Sequence, residues 1–282
     1  MAEHSWRWRG FGLSLTVPDR RRGDLVVGDG PSSRPVARDP EEAIAFVREA
    51  IDQDREGLWY HTIELPDGEV TPGVFDHREL VGRYGLPEDL TGARALDVGS
   101  YDGFWALELE RRGAEVTSVD IATTSDVDVP PAARELLRRR GWELEMGRRF
   151  AEARRRTGSR IRALAASVYE LDPDELGTFD FVHAGDLLVH LRDPILALQR
   201  LRAVTGGQAL ISDCYDPELE EPGLTRYLGG WRWAAWWLPA LPTLVQMVVD
   251  ADFSDAEVVT TYNLATRDQP SGPWRAVIRA RP

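Results

Sequence analysis

At 282 residues, 43% hydrophobic and 29% charged, the chain suits one decorated domain or a core with a smaller cap, and carries too much apolar material to be disordered. Its formal charge of −13 argues against a surface that binds polyanions, because nucleic acid gains electrostatic affinity from clustered basic groups. The 34 Lys+Arg positions are all arginine and Cys214 is the single cysteine, which excludes a Schiff-base lysine, a phosphate-loop lysine, an internal disulfide and a cysteine zinc site of the usual spacing.

Residues 1–15 lack a basic start followed by an apolar run, so no signal peptide is expected, and with one cysteine the expected compartment is reducing cytoplasm. The arginine bias fits a high-GC coding genome of the actinobacterial kind. Residues 1–40 show no sustained period and read as an irregular, partly mobile arm. A helix then opens with Asp39 as N-cap and Pro40 in its first turn, Glu41 and Glu42 against the dipole, and Ile44, Val47 and Ile51 on one face. Gly57 ends it. Residues 59–73 read as an extended piece, a Pro66-Asp67-Gly68 turn and a return, and are unusually aromatic.

From residue 93 strands and helices alternate. Strands are expected at 93–98, 115–120, 161–165, 179–183 and 208–213, and helices at 104–112 and 193–204, with an arginine-rich helical stretch between the second and third strands. Trp231, Trp233, Trp236 and Trp237 precede a helix near 241–251, and strands follow at 256–262 and 273–280. The apolar stretch 228–249 is interrupted by Arg232, Pro239 and Pro242 and does not read as a membrane span. The expected fold is α/β, a doubly wound, Rossmann-like, mostly parallel sheet with helices on both faces. A helical and irregular cap over the site is expected from residues 1–88, a catalytic domain from 89–282, and an aromatic pocket insertion near 215–245. Residues 132–162 carry eleven arginines against Glu135, Glu143, Glu145 and Glu152, which reads as solvated, ion-paired helices rather than a nucleic-acid patch.

The chemistry is written in Leu96-Asp97-Val98-Gly99-Ser100-Tyr101-Asp102-Gly103-Phe104 and in Val116-Thr117-Ser118-Val119-Asp120-Ile121. A strand entering a glycine-rich turn and a helix lets a ligand approach backbone N–H groups, and Asp120 at the end of the next strand can accept both hydroxyls of a ribose. A dinucleotide turn needs G-x-G-x-x-G. Here Tyr101 stands where the second glycine would be and would crowd a pyrophosphate, so a nucleoside cofactor without phosphate fits better. The spacing D-x-G-x-x-x-G resembles the first motif of the class I S-adenosylmethionine (SAM) dependent methyltransferases. Residues 166–171 and 179–194 resemble later motifs of that family. Trp59-Tyr60-His61-Thr62-Ile63 with Thr71-Pro72-Gly73, Gly99 to Gly103, and Trp236-Trp237-Leu238-Pro239 resemble the subgroup of the tRNA wobble-uridine (mo5U34) methyltransferase and its small-molecule relatives.

The resemblance implies that Gly99, Ser100, Tyr101 and Gly103 line the methionine side of SAM, that Asp97 anchors its ammonium, and that Asp120 and Ile121 hold ribose and adenine. It further implies that Ser167, Val168 and Tyr169 flank the adenine and that Gly185 lies near the methionine tail. Asp186 departs from the small neutral residue common in such relatives and, with Trp237, is a candidate for the acceptor pocket. Tyr60 and His61 would bring the cap down on the sulfonium, whose charge an aromatic face attracts. His183, His190, Tyr215, Asp213 and Asp216 are the pool for a base, with Tyr60, His61, His190 and Tyr215 as the catalytic candidates. No metal site is expected.

The expected activity is methyl transfer from SAM to a small molecule, in specialised metabolism, with S-adenosylhomocysteine as product. Nucleic acid and membrane are not expected partners. Three alternatives stay open: a SAM cyclase forming azetidine-2-carboxylate and methylthioadenosine, a tRNA-modifying enzyme using SAM or its carboxylated form, and a non-catalytic SAM-binding protein.

Overall fold

Alternation along the strands decides how the core of this molecule is built. In the computed structural model, which describes residues 6–10, 13–17, 38–267 and 269–282, the elements in chain order begin with β1 (Trp6–Gly10) and β2 (Leu13–Val17). There follow α1 (Pro40–Ala43), α2 (Ala45–Arg55), β3 (Trp59–His61), β4 (Gly73–Phe75), β5 (Arg94–Val98), α3 (Phe104–Arg111), β6 (Glu115–Asp120), α4 (Pro131–Arg140) and α5 (Arg148–Thr157). The chain continues through β7 (Arg162–Ala165), α6 (Pro173–Leu176), β8 (Phe179–Gly185), α7 (Pro194–Val204), β9 (Thr205–Cys214), β10 (Thr225–Arg232), β11 (Ala235–Pro239), α8 (Leu241–Asp250), β12 (Asp255–Asn263) and β13 (Trp274–Arg281).

Residues 38–282 form one compact unit and residues 1–37 another. The second unit corrects the expectation of an irregular arm over its first part: β1 and β2 pair antiparallel, Trp6 opposite Val17 and Gly10 opposite Leu13. The period-2 pattern Trp6-Arg7-Trp8-Arg9 and Leu13-Ser14-Leu15-Thr16-Val17 is the signal for it. Most of the Arg-, Gly- and Pro-rich part of the expected arm, residues 18–37, lies outside the described residues.

Seven strands form one sheet in the order β12-β13-β9-β8-β5-β6-β7. All neighbours from β9 to β7 are parallel, and β13 runs antiparallel to both β9 and β12. Side chains of successive strand residues point to opposite faces. Leu96 and Val98, Val182 and Ala184, Ala209 and Ile211, and Ala276 and Ile278 pack with α7 and α8 on one face. Ala95, Phe181, Leu210 and Val277 pack on the other with α3, with Phe150 and Ala153 of α5, and with Trp59, Ile63 and Tyr84. Each face therefore has its own helical cover, as the sequence pattern requires of a parallel sheet.

The chain builds β5, β6 and β7 outward in one direction and then crosses back to place β8 on the other side of β5. A crevice opens at such a reversal beyond the strand C-termini, here between Val98 and Gly185. Ahead of the sheet, β3 and β4 pair parallel rather than as the expected simple return. The chain first closes the Pro66-Asp67-Gly68 turn, with Leu65 N–H donating to Glu69 O at 2.9 Å, and Thr71 Oγ1 then accepts from Ile63 N at 2.7 Å and donates to His61 O at 2.9 Å. The tryptophan-rich stretch is also more ordered than expected, since β10 and β11 form an antiparallel hairpin there. Residues 228–249 thus divide among β10, β11 and α8, and among the described residues no helix is long and apolar enough to cross a membrane.

Candidate active site

The turn after β5 is built from two glycines in the left-handed region, Gly99 (φ 76°) and Gly103 (φ 89°). At Gly103 the reason is also steric: a Cβ there would lie 2.1 Å from Phe150 Cδ2. Between them Tyr101 takes φ 51° without being glycine, a strained conformation that its surroundings must sustain. Its N–H donates to Asp120 Oδ2 at 2.7 Å, while Ile121 N–H donates to Asp120 Oδ1 at 2.8 Å. Asp120 is thereby held across the end of β6, against the turn. Burial pushes its carboxyl up to about 6, against the pull of those two N–H donors. The Ser100 hydroxyl is spent inside the turn, donating to Asp97 O at 3.0 Å and accepting from Ser118 Oγ at 2.7 Å.

Asp97, 1% exposed at the heart of β5, has one oxygen engaged and one not. His183 Nδ1 donates to Oδ1 at 2.7 Å, Tyr84 O–H meets His183 Nε2 at 3.0 Å, and Oδ2 is buried without a hydrogen-bond partner among the described residues. His183 is clamped at both nitrogens, which removes it from the pool of bases. Tyr84, stacked on Trp105 with ring centroids 3.9 Å apart, is a residue that sequence reasoning missed, and nothing in its local sequence marks it.

Gly185 ends β8 and Asp186 follows it. Asp186 (φ 50°) pairs with Arg275 Nε at 2.6 and 2.8 Å, and the guanidinium lies over Phe75 at 5.3 Å and Tyr262 at 5.9 Å. The unexpected carboxylate is therefore matched by a buried cation on β13. The missed signal was a lone arginine entering the apolar run Ala276-Val277-Ile278. Tyr60 stands near this pair, its ring 5.1 Å from Tyr101 and 4.9 Å from Phe75, and burial followed by the Asp186 charge keeps its phenol well above the ordinary range. His61 carries Nδ1 on Asp102 Oδ1, donates its backbone N–H to Asp102 Oδ2 at 2.7 Å, and stacks on Phe104. Asp102 is completely buried; the sequence showed it inside the turn without showing what it held.

The remaining candidates are mostly committed to structure. Ser167 caps the turn at residues 168–170: its hydroxyl accepts from Tyr169 N at 3.3 Å while Glu170 accepts from Ser167 N at 2.9 Å. Val168 is buried beside it. Tyr169 O–H donates to Asp128 Oδ2 at 3.1 Å and accepts from Asp193 N at 3.1 Å. His190 is hydrogen-bonded to the backbone of Ala234 and Trp233 at the hairpin tip, and burial lowers its pKa. Asp213 accepts from the N–H groups of Leu188, Val189 and Cys214, and burial pushes it up to about 7. Asp216 binds Arg226 Nε at 2.8 Å. Asp213 and Asp216 thus serve backbone and hairpin. Tyr215 packs toward Trp274, with ring centroids 6.4 Å apart. Trp237 donates to Arg192 O at 3.0 Å and leans on Tyr227, while Trp236 donates to Asp128 O.

A cavity of about 80 Å³, partly open to solvent, is lined in part by Tyr60, Tyr101, Asp102, Gln53 and Met146. Among the described residues no three His, Cys, Asp or Glu side chains are grouped to hold a metal ion.

A family model described as a methyltransferase domain matches residues 77–256. The magnesium-protoporphyrin O-methyltransferase of Rhodobacter capsulatus is 34% identical over 109 residues, 39% of this chain and 38% of that protein. A ubiquinone biosynthesis O-methyltransferase of Xanthomonas oryzae pv. oryzae is 28% identical over 126 residues, 44% of each chain. The chain spans less than half the length of these curated relatives. Among solved structures, the N-terminal domain of EvdMO1 with SAH bound superposes with a TM-score of 0.54 at 19% identity, covering 84% of this chain and 95% of that one. That likeness is one of fold.

Proposed function

This chain belongs to the class I SAM-dependent methyltransferase family, and from that premise we propose that it moves the methyl group of SAM to a small-molecule acceptor, in specialised metabolism. The observation that carries the cofactor's placement is Asp97 Oδ2, a buried carboxylate oxygen with no hydrogen-bond partner beside the glycine turn. A buried acceptor left unpaired is costly, and an amino-acid ammonium supplies the donors it lacks. Asp120 fits the other end, since each oxygen accepts one backbone N–H and keeps lone pairs for a ribose hydroxyl. SAM, when bound, supplies an electrophilic methyl group on a positively charged sulfur.

In this reading the backbone of Gly99, Ser100, Tyr101 and Gly103 receives the methionine portion, and Gly185 faces its tail. Ile121, Val168 and Tyr169 bracket the adenine, and Ser167 contributes through its capped backbone. Residues 58–75 act as the cap. Tyr60 offers an aromatic face rather than a proton acceptor, because its phenol stays protonated; such a face attracts a cation and excludes water. His61 and His190 act by position, His61 on Asp102 and His190 on the hairpin tip. Asp186, set by Arg275, is the carboxylate left to receive a polar group of the acceptor, and Tyr215 and Trp237 complete that side. Proximity and alignment then supply much of the rate without a strong base.

The aromatic grouping of Tyr60, Tyr101 and Phe75 favours one second reading, in which SAM's own amine attacks its side chain and yields azetidine-2-carboxylate and methylthioadenosine. Incubation with SAM alone, followed by mass spectrometry of ligand and products, decides between them. SAM retained, or converted slowly to S-adenosylhomocysteine, is the expected result. Methylthioadenosine accumulating with a four-carbon cyclic amino acid would replace methyl transfer by cyclisation.

A further inference from the structure

We propose that Asp102 is a positioning residue that makes occupancy of the glycine turn and closure of the cap strand β3 one event. The inference rests on the cofactor reading above, which places SAM in that turn. Asp102 is fully buried, and both its oxygens go to a residue 41 positions earlier: Oδ2 accepts the backbone N–H of His61, and Oδ1 meets the His61 ring at Nδ1. One carboxylate therefore fixes both the backbone and the side chain of His61. Tyr60, the preceding residue in β3, is set by the same grip, with its ring against Tyr101.

The turn is held from two sides. Tyr101 in its strained conformation is anchored outward by its N–H on Asp120, the residue assigned to the ribose, and its neighbour Asp102 is anchored inward on the cap. A ligand that engages the turn's backbone fixes the direction of the Asp102 carboxylate, so less conformational entropy remains to be lost when His61 docks. By reciprocity, docking of His61 preorganises the turn for the ligand. The cavity beside Tyr60 and Tyr101 is partly open to solvent, so a ligand that engages the turn there borders the cap strand. Lifting it exposes Asp102 to water, which spares the molecule a buried carboxylate with no donors.

The test uses the full chain, S-adenosylhomocysteine as the probe, calorimetry for binding, and hydrogen exchange read on the amides of residues 59–63. In the wild type the probe binds and slows exchange there at least tenfold. In Asp102→Ala, binding persists with less than a tenfold loss of affinity, while the slowing at 59–63 falls below twofold. Asp102→Asn, which keeps an oxygen for the His61 N–H, restores part of the protection and serves if the alanine variant does not fold. Wild-type protein that fails to bind the probe overturns the cofactor reading and this inference with it. Binding without protection at 59–63, or protection that survives in Asp102→Ala, overturns the coupling alone.

Discussion

In the proposed cofactor reading, Asp120 joins ligand affinity and acidity in a single side chain. Its folded-state pKa of about 6 is raised, first by burial, from the ordinary carboxylate value. The sign for stability follows: between the unfolded pKa near 4 and about 6, the folded state keeps a proton that the unfolded state has lost, so rising pH through that window destabilises the protein. For the ligand the proposed reading gives the opposite sign, because an ionised carboxylate would offer acceptors to both ribose hydroxyls. Affinity for S-adenosylhomocysteine, titrated by calorimetry from pH 5 to 8, is expected to rise through about pH 6 and then level. Asp120→Ala should lose about 1.5–3 kcal/mol of that affinity, the range for hydrogen bonds to a charged group, and flatten the profile; an unchanged affinity would mean the ribose is elsewhere. Asp186 and Arg275 make a different kind of pair, nearly buried and ringed by Phe75 and Tyr262. Breaking one partner of such a pair destabilises by about 3–5 kcal/mol, and the partial exposure of Asp186 brings Arg275→Met to the low end of that range in urea denaturation. Replacing both, by Asp186→Asn with Arg275→Met, should recover most of the loss.

Two turns show why some elements could be read from sequence and others could not. The glycine turn was legible because Gly103 must be glycine: its φ of 89° and the 2.1 Å approach of Phe150 leave no place for a Cβ. Gly103→Ala combines a left-handed penalty of about 1–2 kcal/mol with overpacking of about 1–3 kcal/mol, and a melting temperature within a degree of the wild type would contradict the packing described. The hairpin of β10 and β11 was not legible, because its central residues are Trp233 (φ 54°) and Ala234 (φ 50°) where such turns ordinarily carry Asn-Gly. Sequence pattern saw only aromatic residues there. Ala234 is buried and the tip touches His190, so tertiary contacts hold a turn that local propensity opposes. Trp233 itself is 46% exposed, so about half of a large side chain is buried in return for the strain. Trp233→Asn eases the turn but gives up the buried half of the indole, worth about 2 kcal/mol, so a net loss of stability is expected, and a gain would show that the strain outweighs the packing. The strands of the sheet, by contrast, announced themselves as short apolar runs, and their alternate residues do divide between the two faces.

Across the whole molecule, charge that is segregated in sequence is mixed in space. Residues 132–162 carry a surplus of seven positive charges, yet the fold brings acidic partners to them from elsewhere. Arg140 pairs with Glu41 of α1, and Arg156 pairs with Asp67 at 3.0 Å and with Glu69 at 2.5 Å, while Arg138 and Arg139 share the run's own Glu135 at 2.8 Å. Arg134 donates to the carbonyls of Ser125 and Val127. Site pairs obey the same logic: Asp102 with His61, Asp97 with His183 and Asp186 with Arg275 lie 41, 86 and 89 residues apart, so the sequence could name the residues of the turn but not the partners that fix them. Glu41, Asp67 and Glu69 thus offset part of that surplus from outside the run, on a chain of −13. Counterion release makes the salt dependence of nucleic-acid binding a count of phosphates neutralised, with a slope near −0.7 to −0.9 per phosphate. Titration of bulk tRNA at several salt concentrations between about 50 and 200 mM is expected to show weak binding with a slope of magnitude below about 2. A slope of about 5 or more would mean that these ion pairs yield to phosphate and that a polynucleotide, rather than a small molecule, is the acceptor this surface receives.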